Sequence, residues 1–399
     1  MDILLLVLVI LLSSFLLGKL FSLMKLPKVL GPMLVGVFFS FFFRSSLNQN
    51  NLEVLEILGT LGIIMFLFYI GLELNLKSFK REKKETFLIG FLGFFLTFII
   101  GFSFSYVYLN FELIASLVIG VILSITAEGV AVMLLTQNDL INTKIGRNVI
   151  GAGVVDGLFG ILFLAFLSIL AVNSTDLISF LPFILGVFIF IFGFYFLKFL
   201  TSFVDKIFVN KNLIKSYDLF TYSLIFLLFF AVLSESFGFD FTIGALIAGI
   251  FLNFALHQKG HLGDIEEKRI DTDIRNLSLG FLSYFFYFGI GFMIDFNYIF
   301  ENYWWGIGFA LIVFIVKVFS SFLSSYFLSH DVNDSILIGT ALASKGGIEL
   351  IILEIARRAE LISLEIFSAL VLTSLILLIF IPIIFHFFVY FFKKNFPKV

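Results

Sequence analysis

A chain of 399 residues that is 60% hydrophobic and 14% charged, with mean hydropathy +1.12, is too apolar for a water-soluble globule, where about a quarter of residues carry charge. Its net charge of −2 gives no reason to expect a nucleic-acid partner. The absence of cysteine excludes a disulfide framework and thiolate metal sites.

In chain order, apolar runs long enough for a helix to cross a bilayer recur from end to end. The pattern predicts an all-α membrane protein of about thirteen spans, at residues 3–23, 30–43, 54–74, 87–109, 113–135, 147–172, 178–200, 218–237, 241–257, 277–295, 303–328, 335–357 and 363–392. Residues 3–23 read as a span rather than a secretory signal, because no charged n-region or small-residue cleavage site accompanies them. The run at 30–43 is short and relies on its neighbours or on tilt. Polar stretches near 75–86 and 258–276 read as linkers, and no regulatory domain is expected after the last span. The sixty phenylalanines suit a lipid-facing wall, and the four histidines (His257, His261, His330, His386) have no metal-site spacing.

Loop charges predict an orientation. Basic residues follow alternate spans: Lys25 and Lys28, then Lys77 to Lys84, Lys144, Lys206 to Lys215, Lys259 to Arg275, and Lys393 to Lys398. The other loops are poor in them, with Arg44 and the pair Arg357–Arg358 as exceptions. The positive-inside bias therefore places the N-terminus outside and the C-terminus in the cytoplasm.

Five charges fall well inside predicted spans: Glu128, Asp156, Lys317, Lys345 and Glu349. A charge at bilayer depth costs at least about 2.5–3.5 kcal/mol, so each needs a reason. One reading is a structural ion pair that locks helices together. The other is an ion or proton site, favoured because the charges sit in helix-weakening sequence. "ILSITAEGVAVML" sets Ser124, Thr126 and Gly129 around Glu128, and "ALASKGGIELIIL" sets Ser344, Gly346 and Gly347 beside Lys345 and Glu349. Either segment alone also fits a small-residue packing face. Together, seven spans apart, they predict two inverted repeats whose interrupted helices cross at the midplane.

Six segments carry a family resemblance: "LPKVLGPMLVG" (26–36), "FLFYIGLELNLKSFK" (66–80), "SITAEGVAVMLL" (124–135), "IGALIAGIFLN" (243–253), "YFFYFGIGFMIDF" (284–296) and "ALASKGGIELIIL" (341–353). In this order and on these spans, the chain resembles the monovalent cation:proton antiporter superfamily, specifically its second branch of bacterial and archaeal sodium/proton or potassium/proton exchangers. The last segment departs from that pattern, where Arg-Gly is more usual than Lys345–Gly346. In such proteins the span matching 147–172 carries two adjacent acids, the second of which trades a cation for protons. Here Asp156 stands at the first position and Gly157 at the second. Lys317 matches the lysine that pairs with the first acid.

The resemblance implies an antiporter working by alternating access, with Na⁺, or K⁺ or Li⁺, and H⁺ as transported species and no cofactor. It implies a core of roughly 87–172 and 303–392 rocking against a scaffold of roughly 1–74 and 218–295. The linker helix is 178–200, and the assembly a homodimer in a cell membrane with a part in pH homeostasis. Two site readings stay open. Either Asp156 pairs with Lys317 while Glu128 brings the exchangeable carboxylate from the interrupted helix, or Asp156 itself binds the cation and Glu128 is a structural partner. We expect both carboxylates to bind cation and proton, with Thr126 and freed carbonyls as neutral oxygen ligands. Lys345 and Glu349 are expected to complement half-helix ends. A channel-like or non-transporting sensor homologue is the alternative, since the second acid is absent. No nucleophile–base set or nucleotide loop suggests an enzyme.

Overall fold

The computed structural model describes residues 3–44, 47–73, 83–170, 216–236, 241–256, 264–328 and 331–392. Among these, every regular element is helical. The helices are α1 (Ile3–Leu23), α2 (Leu30–Phe43), α3 (Gln49–Glu73), α4 (Lys83–Ser103), α5 (Leu113–Ser124), α6 (Glu128–Gln137), α7 (Lys144–Leu170), α8 (Ser216–Ser236), α9 (Phe241–Leu256), α10 (Asp264–Leu277), α11 (Ser283–Phe292), α12 (Phe296–Leu328), α13 (Val332–Leu342), α14 (Ile348–Arg358) and α15 (Leu364–Phe392). Short π turns extend α4 over Phe104–Tyr108 and join α10 to α11 over Ser278–Leu282. The expected span at 178–200 and the C-terminal lysines lie outside the described residues, as do His257, His261 and His330.

The stretch expected to be a linker near 258–276 is helical from Asp264. Its apolar residues Ile270 and Ile274 are buried while Thr272, Asp273 and Arg275 are not, so an amphipathic stripe orders a segment whose charge had concealed it. The phenylalanines also do more than face lipid. Phe94 of α4 is fully buried. Its ring lies 5.1 Å from Phe159 of α7, with Phe95 at 5.1 Å from the same ring and Phe98 5.5 Å from Phe163. This ladder fixes α4 along α7 three residues from Asp156.

The chain forms two compact units. One comprises Met1–Asn51, Lys77–Phe163 and Tyr287–Val399, and the other Leu52–Leu76 and Leu164–Phe286. In the second unit, α3 and α9 cross where Gly71 meets the Leu246 carbonyl and Gly249 meets the Phe68 carbonyl, each too close for a side chain. In the first unit, α2 and α11 cross in the same way, Gly36 on the Phe288 carbonyl and Gly291 on the Met33 carbonyl. Small residues let helix backbones touch where no hydrophobic force drives them together.

The first unit also contains a recurring triplet: a long helix, an interrupted helix and a second long helix. The triplets are α4, α5/α6, α7 and α12, α13/α14, α15. The first interruption spans Ile125 to Ala127, both in extended conformation. The second spans Ala343 to Gly347, where Gly346 takes φ +104°, a left-handed value that glycine adopts without strain. The breaks bond to each other. The Ala127 amide donates to the Ser344 carbonyl at 3.0 Å, and Ser344 Oγ donates back to the Ala127 carbonyl at 3.1 Å. The six sequence segments thus pair off as three crossings, two on glycines and one on broken backbone.

Candidate functional site: the crossing of two broken helices

Breaking a helix leaves backbone carbonyls at one end and amides at the other without partners. At the crossing, side chains supply them. Lys345 is 1% exposed, and its Nζ donates to the carbonyls of Ile122 and Leu123 at 2.9 and 3.0 Å and to that of Ile125. It is the C-terminal cap of α5, reaching over from the other broken helix. The Glu349 carboxylate, fully buried, accepts from the Gly346 amide and from the Gly347 amide at 3.0 Å. Each charge thereby offsets the partial charge of a helix end. Tyr287 of α11 donates its hydroxyl to the Gly346 carbonyl at 2.9 Å and holds the left-handed residue in place.

Asp156 and Lys317 lie beside this frame, both at 0% exposure. Lys317 Nζ donates to Asp156 Oδ2 at 2.6 Å and to Thr126 Oγ1 at 3.2 Å. The Thr126 hydroxyl has one proton and two acceptors near it, Asp156 Oδ2 at 2.6 Å and the Leu342 carbonyl at 2.7 Å. Among the described residues, all hydrogen bonding of the carboxylate falls on Oδ2, and Oδ1 is buried with no hydrogen-bond partner. A bare anionic oxygen beside a filled one is available to a proton or a hard cation.

Glu128 opens α6, is half-buried, and reaches back over α7. A Cβ placed on Gly157 would sit 3.3 Å from Glu128 Oε1, and one on Gly153 would sit 3.0 Å from Glu128 Cγ. The Glu128 carboxylate therefore occupies the space that a side chain at position 157 would fill. Gly129 beside it is exposed, with open space where its Cβ would point.

Of the six residues singled out in the sequence, Thr126, Asp156 and Lys317 form one hydrogen-bonded cluster, and Lys345 and Glu349 serve the helix ends. Glu128 stands over Gly157, on the next face of α7. Three features of the site region are not evident from the sequence. Asn148 is fully buried in α7, with neither amide atom hydrogen-bonded among the described residues; its signal is its position two turns before Asp156, masked by nearness to the predicted span end. Tyr287 had no signal beyond being one aromatic among many. Glu354, 2% exposed, takes bonds from both Arg357 and Arg358 at 2.8 to 3.0 Å. Arg44 donates to the Ile294 carbonyl at 3.4 Å. Both exceptions to the loop-charge pattern are thus engaged within the protein.

Two broken helices capped by buried charges around a carboxylate–ammonium pair define a secondary transporter of the inverted-repeat class. The chain belongs to the family "Sodium/hydrogen exchanger, transmembrane", whose profile matches residues 7–390. It is 27% identical over 379 residues to a Na⁺/H⁺ antiporter of Enterococcus hirae, covering 91% of this chain and 92% of that one. It is 23% identical to the Na⁺/H⁺-K⁺ antiporter GerN of Bacillus cereus, covering 92% and 91%. The fold matches the sodium proton antiporter MjNhaP1 of Methanocaldococcus jannaschii with a TM-score of 0.72 at 17% identity, over 96% of this chain and 95% of that one.

Proposed function

We propose that this protein exchanges a monovalent cation, Na⁺ in first place and otherwise K⁺ or Li⁺, for protons across a lipid bilayer by alternating access. The observation that carries the site assignment is the Glu128 carboxylate standing in the space of the absent side chain at position 157, beside the buried Asp156–Lys317 pair. Lys317 and Thr126 hold Asp156 Oδ2. Asp156 Oδ1, Glu128, Thr126 and backbone carbonyls of the first break provide the oxygens that a dehydrated cation needs. A carboxylate held in this setting binds a proton or a cation and not both well, and that competition couples the two flows. Lys345 and Glu349 keep the frame of broken backbone rigid while the site changes sides. Relatives described as antiporters favour exchange over a channel-like or non-transporting role.

In the same reading the N-terminus lies outside and the C-terminus in the cytoplasm of a cell membrane. A core of roughly 87–172 and 303–392 moves against a homodimer-forming scaffold of roughly 1–74 and 218–295. The exchange serves pH homeostasis.

The test is proton movement in proteoliposomes carrying an internal pH dye, on adding Na⁺, Li⁺ or K⁺ in turn. The parent is expected to move protons. Asp156→Asn and Glu128→Gln are each expected to abolish the response, and Lys317→Ala to reduce it. A folded parent that moves no protons with any of the three ions overturns the exchange reading. Exchange that survives Glu128→Gln leaves Asp156 as the only carrier.

A further inference from the structure

We propose that the Tyr287 hydroxyl is a latch between the helices that stay and the helices that move: its bond to the Gly346 carbonyl holds the core in the position of this structure, and each transport cycle breaks and remakes it. The proposal rests on the exchange reading above, in which a core of roughly 87–172 and 303–392 moves against a scaffold.

Within the first unit, glycine contacts sort the helices into two bodies. One is α1, α2 and α11. Gly31 is pressed on the backbone of α1 at Gly18, and Gly36 and Gly291 lock α2 to α11. The Phe288 ring adds an edge-on contact with Phe39 of α2 at 5.5 Å. The other body is the two triplets. Gly90 of α4 is pressed on α7 at Ala152, Gly339 of α13 on α12 at Lys317, and Gly306 of α12 on α15 at Ala369. The bonded breaks tie one triplet to the other. Backbones in such contact cannot slide past one another without a clash, so each body moves as a whole. Among the described glycines, none is pressed against the other body.

Tyr287 bridges the two. It stands on α11 one residue before Phe288, whose carbonyl Gly36 touches, and it is 2% exposed. Its hydroxyl donates across to the Gly346 carbonyl at 2.9 Å. That acceptor exists because the helix is broken; in an unbroken helix an amide four residues on would take it. The Gly346 amide is held by Glu349 and its φ is +104°, so the core fixes where the carbonyl points. The grip of α2 on α11 fixes where the hydroxyl sits. A hydrogen bond of this length is lost within about 1 Å of displacement, whereas ring packing beside it tolerates some sliding. The bond therefore tells one position of the core from another. A second bond, from the Asp295 amide to Ser368 Oγ at 3.1 Å, lies at the connection from α11 to α12, where the chain itself joins the two bodies. A single neutral hydrogen bond has a small net worth, which suits a latch that must open in every cycle.

The chain has no cysteine, so two introduced ones are the only sites for thiol-reactive spin labels. Lys28→Cys in the α1–α2 turn reports the scaffold and Asn142→Cys before α7 reports the core; both positions are exposed. Pulsed electron resonance in proteoliposomes reads the distance between the labels, with and without Na⁺ and at two pH values, alongside proton movement on adding Na⁺. The labelled parent is expected to show two distances whose proportions shift with Na⁺ or pH. Tyr287→Phe removes one oxygen and keeps the ring. It is expected to lower the population at the distance of this structure, relative to the other, by about fivefold, equal to about 1 kcal/mol. Tyr284→Phe makes the same change three residues earlier on α11 and is expected to leave the proportions within about 1.5-fold of the parent. Unchanged proportions in Tyr287→Phe, or an equal shift in Tyr284→Phe, overturn the latch and return Tyr287 to a packing role. A labelled parent that moves protons yet shows one fixed distance overturns the moving core, and the latch with it. A parent that moves no protons, labelled or not, overturns the exchange reading instead.

Discussion

The two breaks have the same architecture and spend their charges differently. At the second, Lys345 and Glu349 are consumed by backbone: the ammonium caps two carbonyls of α5 and that of Ile125 just beyond it, and the carboxylate takes the amides opening α14. At the first, Thr126 belongs to the Asp156–Lys317 cluster and Glu128 stands over Gly157, with a bare carboxylate oxygen at Asp156. Four of the five membrane charges are equally buried, so burial does not separate scaffold from site. Where the hydrogen bonds go does. A charge whose geometry is filled by backbone holds structure, and one with an open oxygen is free to trade ligands.

The sharpest way to break this contrast is at Lys345. Lys345→Met removes a buried cap and leaves three carbonyls unsatisfied, so stability is expected to fall by about 4 kcal/mol, read as thermal unfolding in detergent. Lys345→Arg, with five donors, is expected to keep the fold. If Lys345→Met leaves the melting temperature unchanged and abolishes exchange, the ammonium belongs to the site and the contrast fails.

Glu128 should behave in the opposite manner. Glu128→Gln is expected to slow exchange by at least about a hundredfold, about 2.7 kcal/mol at the barrier, while stability stays within about 0.5 kcal/mol of the parent. A carboxylate moved to the other helix tests the geometry more closely. Glu128→Ala should be inactive, and adding Gly157→Asp should bring exchange back to within about tenfold of the parent, because the space the two side chains share is one space. Failure of the double variant, with the fold intact, would show that the carboxylate must come from α6.

Much of the frame is legible in the sequence. The predicted span at 30–43 coincides with α2, and the one at 363–392 with α15 to within one residue. Both interruptions fall within the quoted serine-, threonine- and glycine-containing segments, because those residues free backbone groups wherever they stand. Hydropathy misled at Asp264–Leu277, where charge on one face hid a helix packed on the other. Composition could not say that Lys345 bonds carbonyls 220 to 223 residues earlier. Nor could it place Asn148 inside the protein, since an amide one turn from Lys144 reads as interfacial until the neighbouring helices are in place.

Thr126 joins the two breaks, and its effect should be the smallest. Its hydroxyl accepts from Lys317 and has a single proton for two acceptors, Asp156 Oδ2 and the carbonyl of Leu342, the last residue of α13. While Asp156 is charged, the stronger acceptor is the carboxylate. Once Asp156 holds a proton, the carbonyl competes on better terms, and the hydroxyl swings towards the second broken helix. The state of the carboxylate is in this way felt at the end of α13. Thr126→Val keeps the shape and deletes the hydroxyl, so it is expected to cost about 1–2 kcal/mol in stability. It should also raise the Na⁺ concentration for half-maximal exchange by about fivefold, as loss of one neutral oxygen ligand would. Thr126→Ser restores the hydroxyl and should recover both. If the serine variant behaves like valine, the methyl group rather than the hydroxyl is what the crossing needs, and the link between the two breaks runs through packing alone.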